Sequence, residues 1–140
     1  MIDKPEFQFV DTNIFIYAYD RSSTDKQRKA KELVLNLWEN QNGCISVQVL
    51  QEFFVNLIRK KVSFDAAREV VENYFVWEVI VNDCGVMTEA FQIQKRYATS
   101  FWDALVLAAA NRARTTILLS EDLNHHQVYG SVKVVNPLLP

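Results

Sequence analysis

Four acidic residues lie beside or inside the most apolar stretches of this chain: Asp11, Glu52, Asp103 and Asp122. A carboxylate is costly to bury unless it is hydrogen-bonded, paired with a cation or bound to a metal ion. Because the four acids fall on separate predicted elements of one core, they suggest a shared metal site. Oxygen ligands favour hard cations such as Mg²⁺ or Mn²⁺ over Zn²⁺. A divalent ion in such a site could lower the pKa of a bound water and so activate it.

Two of these acids also have ordinary structural explanations. Asp11 stands where a helix is predicted to begin, and aspartate is among the best N-cap residues. Asn13, two residues on, could hold Asp11 or a water bound to a metal ion. Glu52 shares a helix face with Gln48 and Asn56, which fits a solvated face and a cleft wall equally well. This face lies nearly opposite the predicted core stripe, which comprises Val47, Leu50, Phe54, Leu57 and Ile58.

The other two acids allow similar alternatives. Asp103 lies on an otherwise apolar helix face, so its helix is predicted to be buried. It could complete a capping box with Ser100 and still point into a cleft, since a first-turn acid is stabilised by the helix dipole. Asp122 follows an apolar strand, where a simple turn acid is the alternative. Glu121 competes with it for a functional role, and Ser120 could hydrogen-bond whichever carboxylate is functional.

Short apolar strands alternate with helices along the chain. Strands are predicted at 7–10, 44–46, 76–81, 116–119 and 132–135, and helices at 13–19, 24–40, 47–61, 63–74, 83–97 and 101–112. This alternation predicts an α/β fold with a mostly parallel central sheet. Functional sites in such sheets form beyond the carboxyl ends of the strands, which is where Asp11 and Asp122 both fall.

Composition limits the class of protein. At 140 residues the chain is long enough for a real core, and we predict a single domain over residues 1–140. The net charge of −2 does not indicate a nucleic-acid binder, although a metal-centred site can hold phosphate on an acidic protein. No apolar run approaches membrane-spanning length. With only 3 glycines there is no glycine-rich phosphate-binding motif.

The cysteines indicate the compartment. Cys44 and Cys84 lack metal-ligand spacing, and the opening stretch 1–6 is polar rather than a signal peptide. We therefore predict that both thiols are reduced and that the protein is cytoplasmic.

Two further groups of residues are weaker candidates. His125 and His126 are neighbours in a predicted loop, and such neighbours rarely share a metal ion. They could instead contact substrate. The three tryptophans, Trp38, Trp77 and Trp102, are predicted to belong to the core rather than to stack on bases.

The order and spacing of the acids resemble the PIN-domain ribonucleases, and within them the VapC-like toxins of toxin–antitoxin pairs. The stretch 11–13 after an opening strand is similar to the first family motif, and Glu52 within 49–53 is similar to the second. Asp103 within 100–104 resembles the third motif. The stretch 120–123 resembles the last, with Asp122 as the acid and Ser120 at the usual Ser/Thr position. His126 stands where relatives often carry glycine.

This resemblance implies a three-layer PIN-like fold, with a mostly parallel central sheet flanked by helices. It also implies one or two Mg²⁺ or Mn²⁺ ions, cleavage of single-stranded RNA, a homodimer and a cognate antitoxin. In this hypothesis Asp11, Asp103 and Asp122 bind the metal ion directly, while Glu52 binds a second ion or orients water. The alternative is a non-catalytic module whose acidic cleft docks a basic peptide or an RNA-processing partner.

Overall fold

Six short strands form one mixed sheet in the computed structural model, which describes residues 6–22 and 24–140. The strands are β1 (Gln8–Val10), β2 (Gly43–Ser46), β3 (Glu78–Ile80), β4 (Ile117–Leu119), β5 (Val128–Tyr129) and β6 (Val132–Val135). Their order in the sheet is β3-β2-β1-β4-β6-β5, and only the β5–β6 pair is antiparallel. The predicted polar opening at 1–5 and the loop position 23 lie outside the described residues.

Six helices connect these strands within the described residues: α1 (Thr12–Tyr19), α2 (Asp25–Asn40), α3 (Val47–Arg59), α4 (Phe64–Asn73), α5 (Cys84–Tyr97) and α6 (Phe101–Arg112). Each begins at a residue whose side chain accepts a hydrogen bond from a backbone N–H of the first turn. At the start of α2, Thr24 and Gln27 form a complete capping box. Strands that alternate with helices in a mostly parallel sheet confirm the predicted α/β class. Within the described part of the chain, no helix is long and apolar enough to cross a bilayer.

The structure differs from these predictions at two element boundaries and in one additional strand. The predicted strand at 76–81 is shorter, because a 3-10 helix (Tyr74–Val76) continues beyond α4. Helix α3 ends at Arg59 rather than at Lys61, whose backbone is left-handed with φ 67°. Strand β5 was not predicted, since two residues are too few to show an alternating pattern.

The central strands and the helices packed on them form the main core. Phe9 and Val10 of β1, Ile45 of β2 and Leu118 of β4 are fully or almost fully excluded from solvent. Phe15 of α1 packs within an aromatic cluster that also contains Phe53, Tyr74 and Trp77. A second, smaller cluster joins α5 to α6. Every residue of α6 from 104 to 110 is buried. The predicted enclosure is therefore confirmed for residues 104–110 of the helix, whereas Trp102, Asn111 and Arg112 are exposed.

The predicted core stripe of α3 was only partly right. Its buried face comprises Gln48, Val49, Leu50, Phe53 and Leu57. Val55 and Ile58 are exposed, and Val47 and Phe54 are only partly buried, so α3 has a second apolar face that its own core does not cover. Apolar residues therefore lie on two faces of α3, and their periodicity alone could not show which face is buried.

Gly43 allows β2 to lie directly beneath the indole ring of Trp77. A Cβ atom at this position would overlap with the Trp77 ring, and Trp77 is itself buried in the core. We therefore expect Gly43→Ala to lower the free energy of unfolding by about 1–3 kcal/mol through overpacking, measured by urea denaturation. The cost should be smaller in a Trp77→Leu background, because the clashing ring is then absent. An equal cost in both backgrounds would contradict this explanation.

Candidate active site

Parallel pairing of β1 with β4 places Asp11 beside Ser120. Val10 is in register with Leu119, and the backbone N–H of Asp11 donates to the Leu119 carbonyl oxygen at 3.0 Å. The Ser120 hydroxyl donates to Oδ2 of Asp11 at 2.9 Å, and the Thr12 backbone N–H donates to Oδ1 at 2.7 Å. Asp11 is only 6% exposed and is also the N-cap of α1. The capping role and a functional role are therefore compatible at this residue.

Strand β2 brings Glu52 to the same edge of the sheet from the other side of β1. The strand ends at Ser46, which is the N-cap of α3, and Glu52 follows on the second turn of that helix. The Thr12 hydroxyl donates to Oε1 of Glu52 at 3.0 Å, and the Gln48 side-chain amide donates to the same oxygen at 3.4 Å. The polar face of α3 is therefore a cleft wall rather than a solvated face.

Asp122 is held at this edge by Asn13. The Asn13 side-chain amide nitrogen lies 3.0 Å from both carboxylate oxygens of Asp122. The Ser120 hydroxyl accepts a hydrogen bond from the Asp122 backbone N–H at 3.1 Å. We expected Asn13 to hold Asp11 or a water, but it contacts Asp122 instead. Ser120 contacts both acids, so it joins them into one network.

Asp103 enters the site from the first turn of α6. The Ser100 hydroxyl accepts a hydrogen bond from the Asp103 backbone N–H at 3.1 Å, which is half of the predicted capping box. The Asp103 carboxylate does not complete the box, and it accepts no hydrogen bond from any residue that the structure describes. Its side chain therefore remains available to a ligand.

The four predicted acids line one small cavity of about 110 Å³. Its walls are formed by Asp11, Thr12, Asn13, Gln48, Glu52, Asn56, Trp102, Asp103, Val106 and Asp122. A larger groove of about 550 Å³ lies elsewhere, along α3, α4 and β3, and contains none of these acids. We place the site at the smaller cavity, because the polar groups that could do chemistry converge there.

Negative charge accumulates in this cavity without a basic partner. No salt bridge involves Asp11, Glu52, Asp103 or Asp122 anywhere in residues 6–22 and 24–140. Burial raises the pKa of Asp11 to about 6, against the opposing hydrogen bonds from Thr12 and Ser120. Partial desolvation also raises the pKa of Asp122, and the negative charge of Asp103 acts in the same direction. The cluster therefore favours either protonation or a bound cation.

Glu121 points away from the cavity. Its carboxylate accepts hydrogen bonds from the Tyr17 hydroxyl at 3.0 Å and from the Lys26 ammonium at 2.7 Å. Of the two neighbouring acids, Asp122 is therefore the one that lines the site.

The carboxylates share the cavity, but they are not arranged as a preformed metal cage. No group of three His, Cys, Asp or Glu side chains within the described residues stands close enough together to hold one ion. Asn13 donates a hydrogen bond to Asp122 and Thr12 donates one to Glu52, so each of these acids already has a protein partner. Metal binding would require some of these bonds to be exchanged for metal ligation.

The prediction that Trp102 belongs to the core was wrong. Trp102 is 62% exposed and lines the cavity next to Asp103. Sequence reasoning also missed Thr12 and Val106 as residues of the site. Thr12 lies within the first motif, so its hydroxyl could have been considered as a hydrogen-bond donor to a neighbouring acid. Val106 follows Asp103 by three residues on the same helix face, and this spacing could have indicated that it lines the cavity.

His125 and His126 lie outside the cavity lining. Their rings stand 3.5 Å apart, and Nδ1 of His125 accepts a hydrogen bond from the Asn136 backbone N–H at 2.9 Å. His126 has φ 69°, a left-handed conformation that favours glycine. The presence of histidine at this position therefore concerns the shape of the loop.

Comparison with known proteins assigns the chain to a family. The family profile described as PIN domain matches residues 9–131, and the chain therefore belongs to the PIN domain family. A search of curated proteins found no match.

Several solved structures share this fold. A chain of a toxin–antitoxin complex from Klebsiella pneumoniae is 22% identical, with 93% of this chain and 97% of that chain covered and a TM-score of 0.71. VapC20 of Mycobacterium tuberculosis, described as a sarcin–ricin loop cleaving toxin, is 21% identical, with 82% and 91% covered and a TM-score of 0.64. A chain of DNA-bound VapBC from Salmonella typhimurium is 18% identical, with 92% and 96% covered and a TM-score of 0.67. These similarities confirm the predicted PIN-like fold.

The raised pKa of Asp11 predicts how stability depends on pH in EDTA. The pKa is about 6 in the folded protein and about 3.9 in an unfolded chain, so the native state binds more protons between these values. The contribution of Asp11 to stability should therefore fall by roughly 2–3 kcal/mol as the pH rises from about 4 to about 6, and should level off above. Asp11→Asn should remove this fall in urea denaturation, whereas Asp65→Asn, at an exposed acid, should retain it. Parallel curves for wild type and Asp11→Asn would contradict the assignment.

Proposed function

We propose that this protein is a metal-dependent endoribonuclease that cleaves single-stranded RNA with activated water. The observation that carries the proposal is the convergence of four acids, from four separate segments, on one cavity that contains no basic counter-charge. A structural explanation for each acid alone does not account for their meeting at one place.

The donor set fits a hard divalent cation. All four acids offer oxygen atoms, and the amide side chains of Asn13, Gln48 and Asn56 add further oxygens to the same walls. Asp11, Asp103 and Asp122 would hold Mg²⁺ or Mn²⁺, and Glu52 would hold a second ion or orient water. When bound, the ions would lower the pKa of water, orient it for attack on phosphorus and neutralise charge on the leaving oxygen.

The surrounding residues orient the acids for this chemistry. Ser120 and the Thr12 backbone N–H fix the two oxygens of Asp11, and Asn13 fixes Asp122. The donors to these two acids are uncharged, so they position the carboxylates without cancelling the negative charge that a cation needs. Supporting contacts of this kind commonly affect metal affinity by 10–100-fold, so we assign Ser120 and Asn13 a positioning role.

The similarity to toxin–antitoxin proteins extends the proposal to substrate and partner. The related Klebsiella and Salmonella structures are described as a toxin–antitoxin complex and as VapBC, and the Mycobacterium relative is described as a toxin that cleaves the sarcin–ricin loop. We propose by analogy that this chain is the toxin of such a pair, that it acts in the cytoplasm as a homodimer, and that a cognate antitoxin blocks its cleft.

Removal of a single cavity acid should abolish cleavage without unfolding the protein. We expect Asp103→Asn to lower the rate of RNA cleavage in Mg²⁺ by at least roughly 10²-fold, the scale on which loss of one transition-state contact acts. In EDTA the variant should be as stable as wild type or more stable, because the negative charge next to Asp122 is gone while the Ser100 cap remains. Cleavage of a labelled single-stranded oligonucleotide and thermal melting would measure both effects.

A matched control is Glu39→Gln, an exposed acid of α2, which should cleave as wild type does. Cleaved products should carry 5′-phosphate and 3′-hydroxyl ends. Strong unfolding of Asp103→Asn would favour a purely structural role for this acid. A wild-type protein that binds a partner but never cleaves RNA with Mg²⁺ would favour the non-catalytic module.

Divalent cations should stabilise the folded protein. Binding to the native state alone raises the melting temperature, and for a chain of this length each kcal/mol of linkage corresponds to about 4 °C. We expect a rise of several degrees in millimolar Mn²⁺ for wild type and a smaller rise for Asp103→Asn, measured by calorimetry. The absence of any shift, or an equal shift in the two proteins, would contradict a specific site.

A further inference from the structure

Within the part of the chain that the structure describes, Trp102 is the one large exposed apolar side chain that lines the acidic cavity. It is 62% exposed, although all residues from 104 to 110 of the same helix are buried. It lines the cavity with Val106, one helical turn further on, and it directly precedes Asp103. A molecule whose phosphate reaches the acids can therefore contact the indole ring.

The ring is held in place by a row of aromatic contacts. The Trp102 and Phe101 rings meet edge to face with their centroids 5.4 Å apart. The Phe101 ring in turn packs on Phe91 of α5 at 5.7 Å. This row of rings connects α6 to α5. The indole therefore contacts another ring on one side, while part of it remains exposed to solvent. A supported planar surface loses little conformational entropy when it binds a ligand.

The chemistry of the surrounding walls indicates a ligand with both a flat apolar face and polar edges. Amide side chains of Asn13, Gln48 and Asn56 line the same cavity as Trp102 and can donate or accept hydrogen bonds. An indole beside such amides suits a nucleobase, since every base has a face for stacking and polar atoms on its edge. An acidic ligand without a cation is disfavoured by the carboxylates.

We propose that Trp102 stacks on an unpaired nucleobase adjacent to the scissile phosphate and so positions the RNA at the acids. This inference rests on the proposed ribonuclease function and specifies how its substrate is recognised. Trp102 is a positioning residue, because it touches the base rather than the reacting phosphate. Stacking tolerates any base but requires that the base be unpaired, so the site selects single-stranded RNA over a duplex.

Substitution of the ring tests this role. We expect Trp102→Ala to weaken binding of a single-stranded RNA oligonucleotide by roughly 5- to 150-fold, the range for loss of one base–aromatic stack. This binding is measured in Mg²⁺, with Asp103→Asn present in both proteins so that the oligonucleotide is not cleaved. In Mg²⁺ the variant should raise KM by a similar factor with a smaller change in kcat, and Trp102→Phe should restore most of the loss. Phe64→Ala removes an equally exposed ring, at 61%, outside the cavity and should leave both constants unchanged.

Removal of the base provides an independent arm. An abasic nucleotide at the stacked position should cost wild type as much affinity as Trp102→Ala does, and the two changes together should cost little more than either alone. If the losses of affinity from the abasic nucleotide and from Trp102→Ala added up at every nucleotide position near the cleaved bond, the stacking contact would be overturned.

The outcomes separate this inference from the proposed function. If wild type neither binds nor cleaves RNA, the ribonuclease proposal fails and this inference fails with it. If wild type cleaves RNA but Trp102→Ala retains the wild-type affinity and KM, only the role of Trp102 is overturned. Trp102→Ala could instead change the molar mass of the protein in solution. If the fraction that keeps the wild-type mass then bound RNA with wild-type affinity, the ring would be assigned to a protein interface.

Discussion

The pairing register between β1 and β4 is the constraint on which the site depends. Val10 lies opposite Leu119, so the two chains leave the sheet together and Asp11 meets Ser120 at hydrogen-bond distance. A slip of one residue would turn Asp11 to the other face and break this contact. Phe9 and Val10 point to opposite faces of the sheet and both are fully buried, so such a slip would also disrupt the packing on both faces. The burial of the core therefore fixes the position of the acids.

The same enclosure creates an energetic conflict at the site. Asp11 is almost fully buried, and its neighbours at the cavity are other acids rather than lysine or arginine. The hydrogen bonds from Ser120 and Thr12 offset part of the desolvation cost, but they do not neutralise the charge. Lys26 is paired with Glu121, and neither residue lines the cavity. The fold thus retains uncompensated negative charge where a structural role alone would favour its removal.

Features that depend on neighbouring residues in the chain could be predicted from the sequence, whereas features that depend on tertiary contacts could not. Side-chain caps such as Thr24 and Ser100 act within one helical turn, so the helix starts were predictable. The acids were recognisable because charge beside apolar runs is costly wherever the chain folds. The partner of Asn13 was not, since its contact with Asp122 joins residues 109 positions apart. Likewise, β5 exists only because β6 lies beside it.

The remaining errors have one physical cause. Both Trp102 and the outer face of α3 are apolar, and periodicity treats every apolar position as a candidate for the core. Helix α6 is enclosed from Ala104 onward but begins at the cavity rim, so its first turn is open where its later turns are not. Hydrophobicity predicts that a side chain will be buried, but it does not tell whether its own chain or another molecule buries it. Apolar positions that the fold leaves exposed are those most available to another molecule. Trp102 was wrongly assigned to the core because it is apolar, and it is open to a ligand because it lies in the first turn of α6, beside Asp103 at the cavity rim.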